Sequence, residues 1–116
     1  MSLGVKGEAL KGHLDLLILA VLAEGPRHGY GVIDQLRLRS GEVFDLPEGT
    51  VYPVLHRLHE AGLLESSWSE GGGRRRRVYQ LSELGRASLA DRRSAWEQFA
   101  SAVGSVLKGA PWPSTV

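Results

Sequence analysis

The sequence predicts a mainly α, α+β domain: three short amphipathic helices, then a two-stranded hairpin, then one long helix. Three observations carry this reading. Apolar residues recur at helical spacing in three separate stretches before Gly62. The period then shortens to that of extended chain on both sides of Gly71-Gly72-Gly73, and after Ser82 it returns to helical spacing. A chain of 116 residues can bury one such core and is too short for a cofactor domain plus a substrate domain.

Leu10, Leu14, Leu17, Ile18, Val21 and Leu22 share one face of the first helix. Gly25-Pro26 stops it, because proline cannot donate the next hydrogen bond and disfavours helix in the residue before it. The second helix spans about His28 to Arg39, with Tyr30, Ile33 and Leu36 inside, Asp34 and Arg37 outside, and Ser40-Gly41 at its end. In the third, Asp45 and Glu48 stand three apart as a capping pair requires, and Val51, Val54, Leu55 and Leu58 form the apolar stripe. Pro53 would cost roughly 3 kcal/mol deep inside that helix. The start is therefore expected near Glu48 to Thr50, with Pro53 close to the first turn, and Ala61-Gly62 closes the helix.

Leu63 to Ser69 and Arg75 to Leu81 read as strands joined by Glu70 to Gly73, a flexible glycine tip. Ser82 is a good N-cap for a last helix of about 25 residues, where Leu89, Trp96, Phe99, Val103 and Val106 follow a three–four alternation and Arg92 fills the one polar slot. This order is the plan of a winged helix-turn-helix with a long C-terminal helix. The expected organisation is a DNA-binding domain over residues 10–82, a dimerisation helix over 83–108 and a disordered tail over 109–116.

Composition removes competing chemistry. With no cysteine there are no disulfides, no thiolate catalysis and no cysteine-based zinc or iron–sulfur site. No basic, apolar, small-residue leader opens the sequence, and the most apolar run, Leu16 to Ala23, falls well short of the ~20 residues of a spanning helix. A soluble, cytoplasmic protein is expected. A net charge of +1 argues against a nucleic-acid binder until it is mapped. Residues 1–64 carry six basic and eight acidic side chains, whereas residues 65–93 carry seven basic and four acidic ones. The positive charge is concentrated at the hairpin and the start of the last helix.

On the third helix the stripe leaves Pro53, His56 and Glu60 outward, flanked by Tyr52 and Arg57, with Gly49 and Thr50 at the N-terminal end. Hydroxyls, an imidazole and a guanidinium are the groups that read phosphates and base edges. In Arg74-Arg75-Arg76-Arg77, strand alternation puts Arg75 and Arg77 on one side with Tyr79, and Arg74 and Arg76 on the other. Guanidinium matches phosphate geometry and releases counterions on binding.

His56-Arg57-Leu58-His59-Glu60 reads H-x-x-H-E, neither zinc-peptidase order, so no metal site is expected. There is no G-x-x-x-x-G-K-[ST] loop and no G-x-S-x-G elbow; neither an enzyme nor a cofactor is implied. The apolar stripe from Leu89 to Leu107 exceeds what a chain this short can bury on itself, which points to a two-fold dimer through this helix and the first. Its expected seam is Leu14, Leu17, Leu89, Trp96, Phe99, Val103 and Val106, and Trp96 with Phe99 is the candidate effector pocket for a flat aromatic ligand.

Three segments carry a resemblance: Leu14 to Ile33 (L-D-L-L-I-L-A-V-L-A-E-G-P-R-H-G-Y-G-V-I), Leu46 to Leu64 (L-P-E-G-T-V-Y-P-V-L-H-R-L-H-E-A-G-L-L), and Gly71 to Gly85 (G-G-G-R-R-R-R-V-Y-Q-L-S-E-L-G). With them the chain resembles the PadR family of bacterial transcriptional regulators, in the short form with a single C-terminal helix. The resemblance implies a homodimeric winged-helix protein, usually a repressor, often released from DNA by a small phenolic or drug-like effector. It also implies that Tyr30, then Thr50, Tyr52 and Pro53, then Arg74 to Arg77 lie at or near DNA. Departures are modest: His59-Glu60 stands where an acidic pair is common, and Ser82 replaces a usual threonine.

The expected function is thus sequence-specific binding of double-stranded DNA with inverted half-sites, by Thr50, Tyr52, Pro53, His56 and Arg57 in the groove and Tyr30 and Arg74 to Arg77 on phosphates. The competing reading is a winged-helix ligand-sensing or protein-interaction module that does not bind DNA.

Overall fold

The computed structural model describes Leu10 and residues 12–111. Its elements run α1 (Leu14–Leu22), β1 (Arg27–His28), α2 (Gly29–Arg39), α3 (Glu48–Glu60), β2 (Leu64–Gly71), β3 (Arg74–Leu81) and α4 (Glu83–Lys108). The last five residues of the expected tail, 112–116, lie outside the described residues.

Local chemistry explains most boundaries. Gly41 and Gly62 take positive φ of 62° and 80° just past α2 and α3, the left-handed geometry that suits glycine. At the end of α3, Gly62 N–H donates to the His59 carbonyl and Leu63 N–H reaches back to Leu58 O, so two otherwise orphaned carbonyls are satisfied. Ser82 caps α4 as expected, its Oγ accepting from Gly85 N–H at 3.0 Å and donating to Gly62 O at 2.6 Å.

Four details differ from the sequence reading. The N-cap of α3 is Pro47, which has no side-chain acceptor, so the Asp45–Glu48 capping pair does not form; the Pro47 carbonyl takes Thr50 and Val51 N–H instead. Tyr30, grouped with Ile33 and Leu36 on the inner face of the second helix, is exposed at the start of α2, whereas α3 does begin at Glu48 as expected, which makes Pro53 its sixth residue and leaves the Gly49 carbonyl without its intrahelical donor. The hairpin pairs down to Gly71↔Arg74, so the flexible four-residue tip shrinks to Gly72-Gly73, both at positive φ as a tight two-residue hairpin turn requires. The fourth is β1, two residues pairing antiparallel with β3 as Arg27↔Tyr79 and His28↔Val78, in a sheet of order β1-β3-β2. A two-residue strand is too short to show any period.

The core is one cluster of Leu10, Leu14, Ile18, Leu19, Val21, Leu22, Val32, Ile33, Leu36, Leu46, Val51, Leu55, Leu58, Leu64 and Leu81. It joins α1, α2 and α3 to the inner ends of β2 and β3. Gly85 lets α4 start close against this body, because a Cβ there would collide with the Leu63 carbonyl. Past Leu89 the helix leaves the core: Trp96, Phe99, Val103, Val106 and Leu107 are all exposed. The radius of gyration, 16.7 Å, reflects this projecting arm; a compact domain of this length would give about 13 Å. Among the described residues no helix is long and apolar enough to cross a membrane.

Candidate nucleic-acid interface

The start of α2, the outer face of α3 and the edge of β3 converge on one open cleft. Its walls are His28, Gly29, Tyr30, Gly31, Asp34, Tyr52, His56, Arg74, Arg76, Arg77 and Tyr79. Of the ten residues expected at DNA, it gathers Tyr30, Tyr52, His56, Arg74, Arg76 and Arg77. The hinge of the arrangement is Gly29. A Cβ there would collide with the Tyr52 ring, so only glycine lets α3 lay that tyrosine across the start of α2. Sequence reasoning missed His28, Gly29, Gly31, Asp34 and Tyr79; the H-G-Y-G segment was the local signal for the first three.

The cleft is cationic. Among the described residues, Arg74, Arg76 and Arg77 have no carboxylate within ion-pair distance. Asp34 is the one carboxylate on its walls, and Asp34 stands 3.8 Å from Arg37. Burial, then the neighbouring Glu48, Tyr30 and Tyr79, push the Tyr52 hydroxyl above the ordinary phenol range.

Four of the expected residues stand elsewhere. Thr50 is half-buried in the first turn of α3, and Pro53 is exposed on the same helix but outside the cleft walls. Arg75 packs on the Trp68 ring, with Glu70 at 3.8 Å. Arg57, expected at the groove, turns back to α1 instead: its two terminal nitrogens donate to Asp15 Oδ1 at 2.6 Å and Oδ2 at 3.0 Å. Arg92 of α4 reaches the same carboxylate at 3.4 Å, so Asp15 ties α1, α3 and α4 together. The Arg57 guanidinium, with a smaller contribution from Arg92, holds the Asp15 carboxyl below the usual range against the opposing effect of burial. Sequence reasoning did not single out Asp15.

His56 and His59, the H-x-x-H pair, face different partners. His56 Nε2 lies 3.9 Å from Glu60, whereas His59 Nε2 contacts Ser66 Oγ at 3.2 Å.

A second concavity of about 510 Å³ lies between α1 and α4, walled by Leu10, His13, Leu16, Leu17, Ala20, Phe44, Leu89, Arg93 and Trp96. Trp96 meets His13 edge-on with ring centres 5.2 Å apart, and Phe99 lies tilted beyond it at 6.0 Å without lining the cavity. Leu17 and Leu89 are half-buried at this junction. Leu14, expected at the seam between subunits, is taken up by its own core because it shares a face with Ile18 and Leu22, one and two turns on.

Comparison with known proteins agrees with this architecture. The family model for PadR-like transcriptional regulators matches residues 18–91. A transcriptional regulator of Mycobacterium tuberculosis is 40% identical over 88 residues, covering 76% of this chain and 79% of its own. A PadR-like transcriptional regulator from Bacillus cereus superposes with a TM-score of 0.79 at 27% identity, covering 90% of this chain and 100% of its own. A PadR family regulator from Eggerthella lenta gives 0.77 at 30% identity, over 89% and 88% of the two chains. With its cleft, its basic wing and these matches together, the chain belongs to the PadR-like family of transcriptional regulators.

Proposed function

We propose that this chain is a sequence-specific repressor that binds double-stranded DNA as a homodimer and is released by a small aromatic effector. One observation carries the DNA reading: Tyr30, Tyr52, His56, Arg74, Arg76 and Arg77, from three separate elements, meet in one cationic cleft. An α-helix fits the major groove of B-DNA. Tyr52 and His56 then face base edges and groove walls, with Thr50 and Pro53 beside the cleft on the same helix, while Tyr30 and the arginines of the wing take phosphates. Arg57 is left to Asp15.

The projecting half of α4 supports the dimer. Trp96, Phe99, Val103 and Val106 are exposed along one helix, and a second copy is the partner that would bury them symmetrically. Two heads then address inverted half-sites about 34–36 Å apart, or multiples of that. The cavity beside Trp96 supports the effector reading, being apolar with Arg93 and His13 as its polar corners.

Footprinting on DNA upstream of the chain's own gene tests the reading. The expected result is a pair of protected inverted segments, weakened by Tyr52→Ala and His56→Ala and by added salt. A ligand-sensing module without DNA binding would give no salt-dependent protection. Titrating tryptophan fluorescence with aromatic acids, with Trp96→Phe as control, tests the effector. Identical responses of wild type and control would refute that part.

A further inference from the structure

The wing carries a ladder of alternating rings and guanidinium groups that begins in the cleft wall at Tyr79 and Arg77 and continues beyond it to Trp68 and Arg75. Tyr79, Arg77 and Arg75 lie on the face of β3 that continues from buried Leu81, and Trp68 stands directly opposite Arg77 in the register. The Arg75 guanidinium carbon sits 4.6 Å from the Trp68 ring centre. That of Arg77 lies between two rings, 5.7 Å from Trp68 and 6.0 Å from Tyr79. Arg77 Nε also donates to Ser66 Oγ at 3.1 Å, and Ser66 contacts His59 of α3. Trp68 itself remains 56% exposed, so it fills no core.

We propose that Trp68 is a positioning residue for phosphate binding, its indole faces holding Arg75 and Arg77 in a fixed orientation for a nucleic-acid backbone. The chemistry favours this division of labour. A guanidinium stacked on a ring uses its π-face there and, even with Arg77 Nε given to Ser66, keeps its two terminal N–H groups for a phosphate, which they grip bidentately. Arginines on a bare hairpin would have to give up many rotamers on binding, whereas stacked ones have already lost them. Glu70, 3.8 Å from Arg75 at the outer end of the ladder, is the group a phosphate would displace. This inference rests on the DNA-binding reading above.

The test is fluorescence anisotropy with a labelled random-sequence duplex of about 20 base pairs at several salt concentrations, since wing contacts to phosphate are sequence-independent. Trp68→Leu and Trp68→Phe are compared with wild type, and Trp68→Leu is also placed in an Arg75→Ala/Arg77→Ala background. Trp68→Leu is expected to weaken binding about 5-fold, with Trp68→Phe recovering most of the loss because it keeps a π-face. The slope of log K against log salt stays at the wild-type value, since both charges remain. In the Arg75→Ala/Arg77→Ala background the same Trp68→Leu change has no further effect. An equal loss in both backgrounds would mean that Trp68 acts without the arginines and would overturn the proposal, as would no loss at all. A thermal melt of each variant separates lost positioning from lost fold: a Trp68→Phe variant that melts like wild type yet binds as poorly as Trp68→Leu also counts against it. Failure of the underlying reading looks different, because wild type itself would then bind no duplex at low salt.

Discussion

Replacing Asp15 by Asn is the most informative single change outside the cleft. The Asp15 side chain is 15% exposed and accepts both terminal nitrogens of Arg57, at 2.6 and 3.0 Å, plus Arg92 at 3.4 Å. Hydrogen bonds to charged groups contribute about 1.5–3 kcal/mol. Arg57 is 59% exposed, so water and salt reduce that figure to roughly 1–2 kcal/mol. Asparagine keeps the shape but offers one acceptor, and its NH₂ faces a donor. In a domain of this size each kcal/mol moves the melting temperature by about 4–6 °C, so a drop on the order of 4–12 °C is expected at neutral pH.

The pH dependence follows from the sign of the shift. The folded carboxyl titrates below its unfolded counterpart, so between the two values the unfolded chain binds more protons and stability rises with pH. The contribution of Asp15 is therefore complete above the unfolded value of about 3.9 and is lost as pH falls through the lower folded value. Urea denaturation of wild type and Asp15→Asn at neutral pH and at acid pH reads this directly: the gap between the two should narrow only on the acid side. Asp15 also sits in the first turn of α1, where any carboxylate is favoured by the helix dipole. A double-mutant cycle with Arg57→Ala isolates the pair, and about 1 kcal/mol of coupling is expected. Melting within about 1 °C of wild type, or additivity in the cycle, would refute the tie between α1 and α3.

Three further expectations concern packing. Gly29→Ala should destabilise by about 1–3 kcal/mol because its methyl meets the Tyr52 ring, and Tyr52→Ala in the same chain should recover part of the loss in urea denaturation. Ser82→Ala should cost about 1–2 kcal/mol, since one hydroxyl both caps α4 and satisfies the Gly62 carbonyl, while Ser82→Thr should melt like wild type. Phe99→Glu, on the projecting part of α4, should leave the fold intact and convert a dimer into a monomer in size-exclusion chromatography with light scattering. A wild type that is already monomeric at micromolar concentration would refute the dimer.

Much of the fold was legible because its signals are local. A Leu or Val stripe at helical spacing, a glycine free to take positive φ at Gly41 and Gly62, and a serine placed to cap α4 each act over four or five residues. The same locality explains the misses. Pro47 rather than Asp45 begins α3 because the chain reaches that point already extended, which no spacing rule reports. β1 exists only because β3 lies beside it.

The sequence by itself therefore determined the order of the helices and the hairpin, the stripes that α1 and α3 bury and the concentration of arginines in the wing. Tertiary structure alone decided which outward residues work together. Arg57 and Asp15 are 42 positions apart, and Arg92 and Asp15 are 77 apart, yet one carboxylate holds both guanidinium groups. Tyr30, Tyr52 and Arg76 share one cleft for the same kind of reason. Periodicity tells a side chain which way to face, but a partner is set by how helices and strands pack, and that depends on the whole core at once.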